Sequence, residues 1–312
     1  MRPVATCLHT RRVYESQDLV LALSVHLLEA QALNGLALGA ILALVALGLT
    51  IVFGLLGFVN FAHGALFMVG AYAGWLVYSN TNNFFLAIPS ALVVTFVLGV
   101  VIERVLIRMY YRRPPEDQIL VTYGLAIVLV EVVRAIFTGQ TKLLSTPSWA
   151  AGIVNIAGIY YPQYRVDVMI IAAITLAIIY AVLFRTRIGL IVRAGIDDAL
   201  IVNILGINVN RTFLLVFALG AAIAGLSGIV DAPLVAVNPD MGTDILVQCF
   251  VVVVIGGVGS FFGAILGGLV AGEIVSLTTA FSPDYASVML YVAMAIVLIV
   301  RPQGLLGVEG RA

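Results

Sequence analysis

The chain has 312 residues, 62% of them hydrophobic and 10% charged, and its 16 basic and 16 acidic side chains cancel to zero formal charge. An apolar share so far above one half excludes a soluble globular protein, and the balanced charge excludes a nucleic-acid footprint. Catalytic machinery is equally hard to find. There is no G-x-x-x-x-G-K-[ST] phosphate loop, Lys142 is the only lysine, and His9, His26 and His63 stand in no nucleophile or ligand motif. Cys7 and Cys249 have neither metal-site spacing nor an obvious disulfide partner. The expectation is a non-enzyme without cofactor, metal or nucleotide site of its own.

Residues 1–18 are polar and carry Arg2, Arg11 and Arg12, and residues 19–30 are apolar but too short to span a bilayer. Residues 1–30 therefore read as an extension. Basic residues, a short apolar run and Ala30-Gln31-Ala32 resemble a secretory signal, and an interfacial helix or an extension from an upstream start codon are the alternatives. A single membrane domain is expected over 31–307, with 308–312 as a tail. Its predicted spans are 33–56, 64–79, 84–107, 118–137, 166–184, 212–232 and 286–300. Between the last two, the apolar stretch 245–279 is interrupted by Gly256-Gly257-Val258-Gly259-Ser260. It is long enough for two passes or for a hairpin that enters and leaves on one side. The fold class is an all-α polytopic membrane protein, a bundle of about eight transmembrane helices with a glycine-broken hairpin.

Arginine placement orients the bundle. Arg104, Arg108, Arg112 and Arg113 follow the third span, and Arg185, Arg187, Arg193 and Arg211 flank the fifth and sixth, so both loops belong in the cytoplasm. The connections 80–83 and 233–244 have no Lys or Arg and face outside. Arg301 then lies inside if 245–279 crosses an even number of times, although the arginines at 2, 11 and 12 oppose the resulting start outside. In the external loop 138–165, Thr146-Pro147-Ser148-Trp149 and Tyr160-Tyr161-Pro162 suggest a structured cap, with an ordinary aromatic belt as the alternative.

Within the membrane, small residues recur at four-residue spacing in Gly35/Gly39, Gly70/Gly74, Gly263/Gly267 and Gly268/Gly272, which suits close-packed helices. Two breaks interrupt the apolar flow, Asn60-Phe61-Ala62-His63-Gly64 and Asn238-Pro239-Asp240-Met241-Gly242. Each is either a turn that satisfies its own backbone or a place where freed polar groups line a path. Ionisable groups at membrane depth are functional candidates. Glu131 and Arg134 are three apart and can pair along one helix, whereas Glu273 has no evident local partner. Asn60, His63, Asn238, Asp240 and Glu273 are accordingly candidates for a translocation path.

The polar island 185–211 has helical character over Ile196–Leu205, entered after Gly195 and ended by Gly206 in a left-handed cap. Asp197 and Asp198 sit in its expected first turn, where negative charge suits the helix dipole, and Ile196, Leu200, Ile204 and Ile207 fall near one face. This predicts a short amphipathic helix presented on the cytoplasmic side.

The island resembles the cytoplasmic coupling loop of permease subunits of branched-chain amino acid ABC importers. The resemblance runs over nearly the whole chain after residue 31. It includes Leu33-Asn34-Gly35, Gly57-Phe58-Val59-Asn60-Phe61-Ala62-His63-Gly64, Arg185-Thr186-Arg187-Ile188-Gly189, Gly206-Ile207-Asn208-Val209, Gly256-Gly257-Val258-Gly259-Ser260 and Arg301-Pro302-Gln303-Gly304-Leu305-Leu306-Gly307. Asp197-Asp198-Ala199 is a loose version of the Glu-Ala-Ala pattern of such loops. What the resemblance implies is a permease of the bacterial cytoplasmic membrane with a second homologous permease, two ATPase subunits and a periplasmic solute-binding protein as partners. The ATPase-coupling residues it implies are Arg187, Arg193, Asp197, Asp198, Ala199, Asn203 and Gly206. The substrate it implies is a branched-chain or other aliphatic amino acid, with urea or short amides as the alternative carried by sibling systems. A self-sufficient channel for a small neutral solute is the competing class, and a gradient-driven carrier is disfavoured by the scarcity of buried carboxylates.

Overall fold

The computed structural model describes the backbone of residues 4–57, 59–111, 113–156 and 158–307; the side chains of 4–25, 55–56, 196–201 and 209 lie outside the description. Ten α-helices account for most of the described chain. They are α1 (Val4–Leu56), α2 (His63–Thr81), α3 (Phe84–Val105), α4 (Pro115–Phe137), α5 (Gln163–Arg185), α6 (Arg187–Ile204), α7 (Val209–Asp231), α8 (Met241–Gly256), α9 (Phe261–Phe281) and α10 (Ala286–Val300). Seven helical stretches are long and apolar enough to cross a membrane, and α8 is a shorter apolar helix. The all-α polytopic fold is thus as the sequence predicts.

Two boundaries differ from expectation. The first helix has no boundary at residue 33, because α1 runs through Gln31 and Ala32 without a break. No proline or glycine stands there to end it. Most of the signal-like segment, residues 1–25, lies outside the described side chains. The second difference is α6, which starts at Arg187, so Gly195 lies inside the helix instead of preceding it. The glycine-rich break at 256–260 falls, as expected, between two antiparallel helices, α8 and α9. Gly257 (φ +105°) and Gly259 (φ +77°) make the turn, and the Ser260 hydroxyl accepts from the Gly263 amide to cap α9.

Lipid tails are as apolar as leucine, so these helices gain little by touching unless their backbones approach closely. The glycine pairs supply that approach. Gly268 of α9 lies so near α1 that a Cβ there would stand 2.6 Å from the Ala43 nitrogen, and one on Gly39 would stand 2.8 Å from Leu269 Cα. A Cβ on Gly272 would overlap the Gly39 backbone, and one on Gly70 of α2 would overlap the Gly225 backbone of α7. Around this framework α3 packs on α7 and α2, with Gly99 against Ala218 and Ala221.

Two central helices begin inside the bundle. The His63 Nε2 donates to the carbonyl of Val45 (3.0 Å), eleven residues before the end of α1, or about 16 Å along its axis. The chain therefore turns back into the membrane before α2 starts. α8 has 16 residues, about 24 Å, which is less than the roughly 30 Å hydrocarbon core. The first turns of these two helices meet, and a Cβ on either Gly64 or Gly242 would overlap the other's backbone.

The loop after α4 forms a structured cap rather than a mere aromatic belt. It contains an antiparallel hairpin, β1 (Ile153–Ile156) with β2 (Ile159–Pro162), and Lys142 and Val237 exchange two backbone hydrogen bonds (2.8 and 2.9 Å). Trp149 stacks on Phe85, and Tyr164 donates to the Val230 carbonyl (2.7 Å).

Enlarging the α1–α9 contact should be costly. Gly268→Leu is expected to destabilise the purified protein by about 1–3 kcal/mol or more, read as a lowered unfolding midpoint. Gly124→Leu, at a position with open space around it, should leave that midpoint unchanged.

Candidate coupling and translocation site

The sharp turn from α5 into α6 is one residue long. Thr186 takes extended backbone, and its hydroxyl accepts from the Gly189 amide (3.2 Å), which caps α6 nine residues earlier than the sequence pattern suggested. Gly189 permits the close approach, since a Cβ there would overlap the Leu183 carbonyl. Arg193 fastens the corner from the other side. Its guanidinium donates to the Leu183 carbonyl in the last turn of α5 and lies 5.0 Å over the Phe184 ring. Arg187 is exposed at the start of the helix.

The far end of α6 closes as the sequence predicts. Gly206 has φ +81°, its amide bonds the Asn203 carbonyl (3.1 Å), and Ile207 reaches back to the Val202 carbonyl (3.3 Å). Asn203 is exposed, and Ile204 and Leu205 are 75% and 72% exposed beside it. The backbone of Asp197, Asp198 and Ala199 lies within α6, and their side chains lie outside the description. On its buried side, Val192 packs with Val216 of α7, Ile51 of α1 and Leu183 of α5. The helix thus presents apolar residues outward at one end while gripping three spans.

The path candidates fall into three places. Asn60 and His63 are buried in the bundle, and they form a turn that serves its own backbone. The Asn60 side chain accepts from the Ala62 amide (3.1 Å), and the Asn60 carbonyl accepts from the His63 amide (3.1 Å). His63 Nδ1 is buried without a hydrogen-bond partner. Asn238 makes a similar turn, accepting from the Asp240 amide (2.9 Å). Glu273 is set apart from both, against Gly35 of α1.

Asp240 leads to a feature that local reading missed. Arg134 bonds Glu131 (2.9 Å), as the three-residue spacing predicts, and also Asp240 (2.9 Å), 106 residues away. This ties the end of α4 to the start of α8. From Asp240 a polar stripe continues along α8, where Thr243 and Asp244 are exposed and Gln248 is half-buried, with Val247 and Phe250 exposed among them. Polar groups on an outer helix face at membrane depth call for water or another protein. Their spacing of three to four residues was visible in the sequence, but the greasy run around them hid it. Glu103 was also missed. It is fully buried at the end of α3 and accepts from the Tyr111 hydroxyl (2.7 Å). Burial and the Glu103 carboxylate push the Tyr111 phenol well above its ordinary pKa.

These surfaces stand beside a family match. The family described as "Branched-chain amino acid transport system / permease component" matches residues 31–298. The chain belongs to this family. Among the relatives of this permease chain is the high-affinity branched-chain amino acid transport system permease protein LivH of Salmonella typhimurium, 30% identical over 89% of this chain and 94% of LivH. BraD of Pseudomonas aeruginosa, named as a permease protein of the same kind of system, is 29% identical over 89% of this chain and 95% of its own. LivM of Salmonella typhimurium, another permease protein of that system, is 27% identical over 84% of this chain and 67% of LivM. No solved structure gives a significant match. The chain is therefore a multi-pass membrane permease component, and its relatives are permease subunits rather than enzymes.

The Arg134 link predicts non-additivity. Arg134→Gln and Asp240→Asn should each lower the unfolding midpoint of the purified permease, and the double variant should be no worse than the poorer single. The coupling is expected at about 0.2–1 kcal/mol, since the two side chains are 43% and 71% exposed.

Proposed function

We propose that this permease is half of the membrane pore of an ATP-driven importer in the bacterial inner membrane. A second homologous permease completes the pore. Two ATPase subunits dock beneath it, and a periplasmic binding protein delivers branched-chain or other aliphatic amino acids from above. The observation that carries the reading is α6. Its outer end exposes Asn203, Ile204, Leu205 and Gly206, while Val192 holds the helix to α1, α5 and α7. A push on the exposed end by a closing ATPase is delivered to three spans at once. That is the two-state element, biased by a partner, on which coupling depends.

In this reading Arg187 and Arg193 hold the corner, Asp197, Asp198 and Ala199 with Asn203 meet the ATPase, and Gly206 fixes where the helix stops. The path runs between the two permeases along the polar stripe of α8, with Asp240 and Asn238 at its outer mouth. Asn60, His63 and Glu273 support the wall from behind. Support for a paired assembly comes from the likeness to both LivH and LivM, each named as a permease protein of one kind of system. Substrate choice is assigned largely to the binding protein.

Uptake into vesicles that contain the full complex tests the assignment. Gly206→Trp forces a side chain onto left-handed backbone, and Asp198→Trp adds bulk to the helix proposed to dock. Each should lower uptake by roughly tenfold or more, equivalent to about 1.4 kcal/mol of coupling, while ATP hydrolysis and folding persist. Unchanged uptake in both variants refutes the docking role. Flux through liposomes that contain this chain alone would favour a self-sufficient channel instead.

A further inference from the structure

At the arginine-rich end, α3 and α7 enclose a pocket of about 510 Å³ that the transport reading does not use. Three arginines line it, Arg104 in the last turn of α3, Arg108 in the short 3-10 turn Ile107–Met109 that follows it, and Arg211 in the first turn of α7. Arg104 and Arg108 lie on either side of the helix end at Val105, and both line the pocket. Asn208 and Asn210 add amides at the start of α7, where the helix dipole also favours negative charge. Among the described side chains, no carboxylate forms an ion pair with any of the three arginines. Glu103 is close in sequence but fully buried and bonded to Tyr111, and it is not part of the wall.

The pocket changes character as it enters the membrane. Leu214 and Leu215 close its inner end, and Leu219, one turn deeper on α7, belongs to a second, apolar cavity of about 390 Å³. That cavity has Thr175 as its one polar side chain and is walled by residues such as Ile88, Ile174 and Ile223. Val97, Val101 and Val105 form an exposed row on α3 above the arginines. A soluble acidic partner would satisfy the arginines but leave these apolar surfaces uncovered. A molecule with an anionic head and hydrocarbon tails covers both.

We propose that this pocket binds the phosphate-bearing headgroup of an anionic phospholipid, with an acyl chain running past Leu215 and Leu219 into the apolar cavity. Basic pockets between membrane helices at the headgroup level hold such lipids through charge-assisted hydrogen bonds to phosphate. Bound there, the lipid bridges the α3 and α7 ends next to the α6 corner.

The test uses the full-length chain purified in detergent and mixed with dioleoyl phosphatidylglycerol, with bound lipid counted by native mass spectrometry. The wild-type chain should retain phosphatidylglycerol at least about tenfold more strongly than phosphatidylcholine, and high salt should abolish the preference. The pair Arg108→Gln and Arg211→Gln should lose about tenfold or more of that retention. The pair Arg185→Gln and Arg301→Gln, at the same end but outside the pocket, should retain it. Equal retention by all three proteins, or equal loss in both double variants, overturns the site. Displacement of the lipid by millimolar inorganic phosphate would assign the pocket to free phosphate and overturn the lipid. If the pocket variant does not fold, the wild-type comparison decides, and absence of a preference for phosphatidylglycerol sinks the proposal.

Discussion

Close approach of helix backbones, made possible where side chains are missing, is the constraint on which the rest of this protein depends. Inside hydrocarbon there is no hydrophobic gain in pressing one apolar helix against another, so dispersion over a tight contact has to replace it. α1 and α9 meet through Gly35, Gly39, Gly268 and Gly272, and α2 and α7 meet through Gly70, Gly225 and Gly228. These two seams bury α1 and α7 more deeply than any other long span. The outer helices α4, α5 and α10 are left with most of their surface exposed, which suits elements that face lipid or a second subunit.

The seams also make room for two helix starts in the interior. A helix that begins inside a membrane leaves its first amides without intrahelical partners, and those amides must be met locally. α2 does so with the Asn60 turn and with the Phe61 amide on the Thr122 hydroxyl (3.2 Å). α8 does so with the Asn238 turn, and Arg134 ties the Asp240 carboxylate beside it to α4. The contact between Gly64 and Gly242 then brings both starts together, so a shift of either helix is felt by the other. The polar stripe of α8 begins at this junction, which links the proposed path to a close backbone contact in the bundle.

At the other end, the same economy of backbone shapes α6. One extended residue, Thr186, separates it from α5, and Gly189 and Arg193 lock the corner against the last carbonyls of α5. A helix held this way moves as a body with the spans below it. Its exposed apolar end, the neighbouring arginine pocket and the buried Glu103–Tyr111 bond all lie at the ends of α3, α6 and α7. A soluble partner docked on α6 and a lipid bound in the arginine pocket, as proposed above, would meet at the same few helix ends.

The sequence by itself determined the membrane class, the spans to within a few residues, the polar island with its Gly206 stop, the glycine pairs and the Glu131–Arg134 pair. Each of these is a local property, set by side-chain polarity, helical spacing or backbone freedom within a few residues. Only the tertiary structure decided which glycine meets which, that α2 and α8 begin in the interior, and that Arg134 reaches Asp240. It also placed Arg104 and Arg108 beside Arg211. The early start of α6 escaped the sequence for a related reason, because Gly195 reads as the helix entry until α5 is seen packed against the helix. Pairings between residues a hundred positions apart leave no periodic trace in a single chain. They arise when hydrocarbon forces every polar group and every thin helix face to find a partner, wherever in the chain that partner lies.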